Sequence, residues 1–125
     1  MTKDEIIKEW CAELRSGKWE QLIWRLGDAN STKRCCMGVL CELAIRHEVI
    51  EQPTKDRRDG HTLIYEGEDK YLPYPVKKWA HLRDIRGGFM DGSLTSMNDS
   101  RKSFAEIAAF IESKPPYLFI EEEGV

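Results

Sequence analysis

Three of the four cysteines lie within seven residues of one another, in the most apolar stretch of the chain. Cys35 stands at the start of a predicted helix and follows Lys33 and Arg34 directly. The positive end of a helix dipole and neighbouring cations both favour the thiolate over the thiol. We therefore expect Cys35 to be the most nucleophilic thiol, whereas Cys36 should face the core.

Polar residues also occur in the chain order used by papain-like thiol hydrolases. Gln21 precedes Cys35, and Asn98 and Asp99 follow it, with all three histidines in between. In such a site the thiol attacks, a histidine takes its proton, Asn or Asp orients the ring, and Gln holds the oxyanion. The sequence around Cys35 is not that of these enzymes, and free cysteines commonly fill tight cores. A hydrolase that uses Cys35, Asn98 and Asp99 is therefore kept as an alternative to core packing.

Metal binding is the other chemistry that clustered thiols can support. Cys35, Cys36 and Cys41 lack the spacing of a zinc-binding pair. Cys36 and Cys41 lie about 140° apart around a helix, an angle that does not suit one shared ion. We predict no metal site and no cofactor.

A segment without clear periodicity, residues 18–30, contains two tryptophans beside polar residues. A planar ligand such as a base would fit between the two indoles, with Arg25 on its phosphate. Core packing of the indoles and a turn with helix capping at residues 98–99 are the competing interpretations. The predicted ligand-binding residues are Trp19, Gln21, Trp24, Arg25, Asn98 and Asp99.

A central helix over about residues 35–48 must position these groups. At 100° per residue, apolar side chains cover more than half of its circumference, which indicates neighbours on several sides. The apolar arc comprises Cys36, Met37, Val39, Leu40, Cys41, Leu43, Ala44 and Ile45, and the polar sector comprises Cys35, Gly38, Glu42 and Arg46.

The remaining elements follow from capping and turn signals. Capping boxes at residues 2–5 and 103–106 open two amphipathic helices, the first over residues 3–16. Residues 21–26 and 94–97 are predicted to be extended, residues 51–60 form a charged loop, and a short helix begins at Pro75. The fold is therefore α+β, with about four helices packed around the central one and an antiparallel hairpin over about residues 61–72. Residues 1–125 form one domain, in which residues 115–125 are either an extra strand or a loosely ordered tail.

The composition sets outer limits on function. Of 125 residues, 41% are hydrophobic and 33% are charged, and the net charge is −3, as is usual for a globular domain. This balance gives no strong nucleic-acid signal, although a small basic patch can hide in such a total. The chain has no long apolar run and no apolar signal core. We therefore expect no membrane segment and a cytoplasmic location with reduced cysteines.

Four pieces of the chain carry a resemblance. They are residues 10–21 (WCAELRSGKWEQ), residues 35–44 (CCMGVLCELA), Leu-Pro and Trp-Ala within residues 72–80, and MND, SFAEIA and IE within residues 97–112. They are similar to a family of small tailed-bacteriophage and prophage proteins without an agreed activity. The resemblance implies an accessory protein in the bacterial host cytoplasm, a class whose members often bind a host component and in some cases oppose host defence. With the two tryptophans and Arg25, we expect a protein that binds a host protein or a small nucleotide-type ligand. A homodimer is compatible with it, and a structural or assembly protein of the virion is a further alternative.

Overall fold

A computed structural model describes residues 1–121 and shows an α+β fold. Within those residues, five helices carry the core and three pairs of two-residue strands lie between them. The helices are α1 Lys3–Arg15, α2 Cys36–Arg46, α3 Tyr74–Trp79, α4 Leu94–Asp99 and α5 Phe104–Glu112. The strands are β1 Glu20–Gln21, β2 Lys33–Arg34, β3 Thr54–Lys55, β4 Leu63–Ile64, β5 Gly88–Phe89 and β6 Gly92–Ser93. The predicted fold class is confirmed.

Helix α2 lies at the centre of the fold, and eight of its eleven residues are buried. Its polar sector is narrower than predicted, because Gly38 is buried against the backbone of Leu26. A Cβ added to Gly38 would lie 1.9 Å from the Leu26 carbonyl oxygen. A side chain at this position would separate the two backbones, so glycine sets how closely the Leu26 segment packs on α2.

Both predicted capping boxes are present. At α1 the Glu5 N–H donates to Thr2 Oγ1 (3.2 Å), and the Thr2 N–H donates to Glu5 Oε1 (2.8 Å). The same exchange between Ser103 and Glu106 opens α5. These side chains satisfy backbone N–H groups that have no partner within the helix.

Helix α1 packs along α5 and also contacts α2. The Trp10 indole N–H donates to the Cys36 carbonyl oxygen (3.0 Å), and the Arg15 guanidinium forms two hydrogen bonds to the Glu112 carboxylate (2.6 and 2.7 Å). The buried residues of α1 recur at helical spacing, as expected for an amphipathic helix, and are Ile6, Ile7, Trp10, Cys11 and Leu14.

The strand pairing differs from the hairpin expected over residues 61–72. Strand β4 pairs with β3, which lies in the predicted charged loop, whereas residues 70–72 are not a strand. A single bridge between Tyr65 and Glu68 closes a tight turn inside the predicted hairpin. Strand β3 escapes recognition because both its residues are exposed, so it has no hydrophobic alternation.

The stretch predicted to be extended at residues 94–97 is instead α4. Ser93 caps this helix by accepting a hydrogen bond from the Ser96 N–H (3.0 Å). Asn98 and Asp99 therefore end a helix and do not form a separate turn. A six-residue helix is too short to display a helical period, which explains the wrong prediction.

Residues 117–121 cover one end of the core. Leu118 and Phe119 are buried, and Phe119 forms an antiparallel bridge with Leu82. This contact is a single bridge and not the full extra strand of one prediction. Residues 122–125, which belong to the predicted strand or tail, lie outside the described residues.

Candidate functional site

The predicted polar residues meet around Asn98, whose side chain is fully buried. Its Oδ1 accepts hydrogen bonds from the Cys36 N–H (3.0 Å) and from Gln21 Nε2 (3.1 Å). Its Nδ2 donates to the Leu22 carbonyl oxygen (2.7 Å). One amide thus joins the last turn of α4 to the first residue of α2 and to the segment after α1.

Gln21 completes this connection. Parallel pairing of β1 with β2 places Gln21 opposite Arg34, just before α2. The Gln21 amide donates to the Lys102 carbonyl oxygen (2.7 Å) as well as to Asn98. The sequence therefore identified a real cluster, but its polar groups are bonded to one another.

Asp99 holds the backbone of Trp24, since its Oδ1 accepts a hydrogen bond from the Trp24 N–H (3.0 Å). Trp24 has a positive φ of 73° and 64% of its surface exposed. A bulky residue in this left-handed conformation costs about 1–3 kcal/mol and persists only where its surroundings impose it. The Asn98–Asp99 pair therefore fixes a loop that presents an indole to solvent.

A pocket of about 340 Å³ is lined in part by Gln21, Leu22 and Ile23, the three residues that precede Trp24. Its lining combines the half-buried side chains of Leu22 and Ile23 with the exposed cations Lys33 and Arg101. Arg101 follows α4 and has a positive φ of 66°. Neither Lys33 nor Arg101 forms an ion pair with another described residue. The pocket therefore combines apolar and polar side chains with two positive charges that have no ion-pair partner among the described residues.

Two predicted ligand-binding residues are engaged elsewhere. The Trp19 indole N–H donates to Glu13 (3.0 Å), and the Arg34 guanidinium lies 4.8 Å from the centre of one Trp19 ring. The Arg25 guanidinium contacts His61 Nδ1 (2.6 Å) and Thr62 Oγ1 (3.0 Å). The Arg25 side chain is therefore bonded to residues 61–62, and the cations that line the pocket are Lys33 and Arg101.

Burial determines the chemistry of the four cysteines, all of which are free thiols. Cys35 is the N-cap of α2, where its Sγ accepts a hydrogen bond from the Gly38 N–H (3.3 Å). Burial raises the pKa of Cys35 to about 11 despite this hydrogen bond, and it raises the pKa of Cys11 to about 12. Burial also raises the pKa values of Cys36 and Cys41.

The expectation of an activated Cys35 thiolate is therefore wrong. Arg34 points away from the sulfur, with its Nε donating to Glu42 (3.2 Å) and its Nη1 donating to three backbone carbonyls of residues 28–33. Among the described residues no histidine hydrogen-bonds to Cys35, and His47 contacts Glu9 (2.9 Å). This geometry gives the thiol-hydrolase alternative no support.

Sequence reasoning missed a second buried polar group, formed by Arg34, Glu42 and Tyr65. Arg34 and the Tyr65 hydroxyl both donate to Glu42 Oε2. Burial, and then the Glu42 charge, raises the pKa of Tyr65 well above its usual value. The usable signal was Glu42, a lone carboxylate in a very apolar helix, since such a charge needs partners.

The polar side-chain groups buried within the described residues are bonded to other protein groups. Each of their buried side-chain nitrogen and oxygen atoms has a hydrogen-bond partner. Residues 1–121 contain no group of three His, Cys, Asp or Glu side chains that could hold a metal ion. None of the helices in this part of the chain is long and apolar enough to cross a membrane.

Together the fold and the site define an α+β protein in which a buried amide cluster supports an exposed aromatic loop beside a cationic pocket. The chain belongs to the family described as Domain of unknown function (DUF8296), which matches residues 2–115. No curated protein and no solved structure matches the chain.

Proposed function

We propose that this protein is a bacteriophage accessory protein that acts in the host cytoplasm by binding a small nucleotide-type ligand and thereby counters host defence. The resemblance to tailed-phage proteins supports the origin. The observation that carries the binding function is Trp24, whose indole is 64% exposed on a backbone held by Asp99. A fixed exposed indole is well suited to stacking on a planar group.

The pocket formed by residues 21–23, Lys33 and Arg101 supplies the charge that such a ligand needs. Lys33 and Arg101 carry positive charges that no other described side chain neutralises, and Arg101 can form bidentate hydrogen bonds with a phosphate. Leu22 and Ile23 add apolar contact area. A volume of about 340 Å³ falls at the small end of the range for ligand pockets, which suits a mononucleotide better than a larger cofactor.

A host protein is the second candidate partner, and the same tryptophan favours it. Tryptophan is strongly enriched among the residues that dominate protein–protein binding energy, especially where the surrounding surface can exclude water. Trp24 follows Leu22 and Ile23 in the chain, so a partner that covers this loop would bury apolar side chains.

Calorimetric titration with a nucleoside and with its mono-, di- and triphosphates tests the first candidate. We expect saturable binding that Trp24→Ala weakens about tenfold, since stacking on one aromatic ring contributes roughly 1–3 kcal/mol. Lys33→Gln and Arg101→Gln should weaken triphosphates more than the free nucleoside. Arg57→Gln is the matched control, because Arg57 is exposed and outside the pocket.

The outcomes are separable. Absence of binding by every nucleotide refutes the nucleotide proposal, and equal binding by the wild type and Trp24→Ala refutes the site. The second candidate is supported if one host protein co-purifies with the wild type and with Arg57→Gln but not with Trp24→Ala. It fails if Trp24→Ala retains the same protein.

A further inference from the structure

Positive charge is concentrated in one segment of this acidic chain. Residues 70–86 contain five Lys and Arg residues against one Asp, a net charge of +4 in a chain whose total is −3. The remaining residues together therefore carry −7. A polyanion approaching the molecule would be attracted to this segment and repelled by most of the rest.

None of these five cations forms an ion pair with a carboxylate of the described residues. Four of them lie over tyrosine rings instead. Lys70 Nζ and Arg86 Cζ are 5.4 and 5.1 Å from the centre of the Tyr71 ring. Lys77 Nζ is 5.4 Å from the Tyr74 ring, and Arg83 Cζ is 5.3 Å from the Tyr117 ring. All four distances are within the range of a cation–π interaction.

Backbone hydrogen bonds join these pairs into one folded unit. The Leu72 N–H donates to the Ile85 carbonyl oxygen (3.0 Å), which closes residues 72–85 into a loop. The Arg83 N–H donates to the Leu118 carbonyl oxygen (3.1 Å), which brings Tyr117 beside Arg83. Leu72, Leu82 and Leu118 are buried beneath, so the loop has an apolar anchor.

Two of the three tyrosines are well exposed to solvent. Tyr74 is 64% exposed and Tyr117 is 53% exposed, and Tyr71 is half-buried. We call the three tyrosines with their four cations the tyrosine–cation surface. It combines three aromatic side chains with positive charges that lie 5.1–5.4 Å from the ring centres.

We propose that the tyrosine–cation surface binds single-stranded nucleic acid. Unpaired bases expose faces that stack on aromatic rings, while the phosphates between them contact nearby Lys and Arg side chains. Alternating rings and cations match this repeat of base and phosphate. An acidic protein would bind through the positive charges alone. The exposed tyrosines therefore favour single-stranded nucleic acid over an acidic protein as the ligand. This surface is independent of the Trp24 pocket and of its proposed ligand.

The direct test is fluorescence anisotropy of the full chain with a labelled 16-nucleotide oligothymidylate. We expect saturable binding at low salt. The logarithm of the association constant should fall with the logarithm of the salt concentration at a slope of about −2 to −3, since each neutralised phosphate of a single strand contributes about −0.7. Lys77→Gln and Arg83→Gln should each make that slope shallower by about 0.7. Lys55→Gln, which changes an exposed cation outside the surface, is the matched control and should leave the slope unchanged.

A second pair of variants separates stacking from charge. Tyr74→Ala should weaken binding by roughly five- to 150-fold, the equivalent of one lost base stack, whereas Tyr74→Phe should bind within about twofold of the wild type. Tyr74 is 64% exposed, so neither change should disturb the fold, and a urea titration checks this. Trp24→Ala should bind the oligonucleotide like the wild type.

Four results would overturn the proposal. These are no binding at low salt, equal binding by Tyr74→Ala and Tyr74→Phe, equal affinity for a duplex of the same sequence length, and competition by polyglutamate at the same charge concentration. The last two would assign the surface to a duplex or to an acidic protein. A failure of nucleotide binding at Trp24 would leave these measurements unaffected, so the two proposals fail separately.

Discussion

The substitution Asn98→Leu tests the buried amide cluster most directly. Leucine has nearly the same shape as asparagine but can neither donate nor accept a hydrogen bond. The change therefore removes the acceptor of the Cys36 N–H and the donor to the Leu22 carbonyl oxygen without opening a large cavity. Gln21 keeps its hydrogen bond to the Lys102 carbonyl oxygen and so loses only one of its partners.

The expected cost follows from the two groups left without partners. A buried polar group that loses its partner costs about 1–3 kcal/mol. Cys36 is fully buried, so its N–H should cost an amount near the upper end of that range. Leu22 is only half-buried, so its carbonyl group should cost an amount near the lower end. We therefore expect Asn98→Leu to lower the free energy of unfolding by about 3 kcal/mol, a large part of a total of about 5–15 kcal/mol.

Urea unfolding, followed by tryptophan fluorescence and by circular dichroism, measures this loss. Asn30→Leu is the matched control, since Asn30 is exposed and should change the free energy of unfolding by less than about 0.5 kcal/mol. A loss below about 1 kcal/mol for Asn98→Leu would refute the role assigned to the cluster.

Asn98→Asp gives a second test with a defined pH dependence. A carboxylate keeps the acceptor for Cys36 but places an oxygen against the Leu22 carbonyl oxygen, where Asn98 Nδ2 now donates at 2.7 Å. Burial should raise the pKa of the new carboxyl group above its unfolded value. Its protonated form is then favoured in the folded state, so the deficit in stability should shrink as the pH falls from 7 toward 4. A deficit that grows over this range would contradict the assigned geometry.

Three further predictions concern the core. Gly38→Ala should destabilise the fold by about 1–3 kcal/mol or more, because its Cβ would lie 1.9 Å from the Leu26 carbonyl oxygen, and thermal unfolding measures this. The four buried thiols should make stability fall as the pH rises above about 8.5, since the unfolded chain releases protons that thiols such as Cys35, with its pKa of about 11, retain. A urea midpoint that stays constant from pH 7.5 to 9.5 would contradict this. Tyr65→Phe removes the hydroxyl that donates to Glu42 and should cost about 1–2 kcal/mol in urea titrations, and a neutral result would show that water replaces this hydrogen bond.

Helical periodicity and capping chemistry predicted the framework well. The apolar residues of α1 and α2 recur at 3.6-residue spacing, and each capping box marks a helix start within one residue. Both signals depend only on residues close together in the chain, so they can be recognised from a single sequence. The short strands and α4 were mispredicted because two to six residues do not display a period, and tertiary contacts decide their conformation.

The sequence singled out only some residues of the candidate site, since Trp19 and Arg25 are engaged elsewhere and Lys33 and Arg101 were not predicted to bind a ligand. Gln21, Asn98 and Asp99 do meet near the start of α2, as their residue types indicated. Their hydrogen bonds are all internal, however, and that depends on which backbone groups the fold brings near. Cys35 shows the same limit, because burial outweighs the helix end and the adjacent cations in setting its pKa. Neither burial nor the direction of Arg34 can be deduced from adjacency in sequence.

The long sequence separations within the Asn98 cluster have a consequence for synthesis. The groups that hold Trp24 and Gln21 belong to Asp99 and Lys102, which lie 75 and 81 positions further along the chain. On the ribosome, where chains emerge N-terminus first, the early part of the molecule cannot yet have this arrangement. We expect the aromatic loop to become ordered only after residue 102 has left the exit tunnel. A truncated translation product would therefore contain Trp24 but lack the Asp99 side chain that holds its backbone.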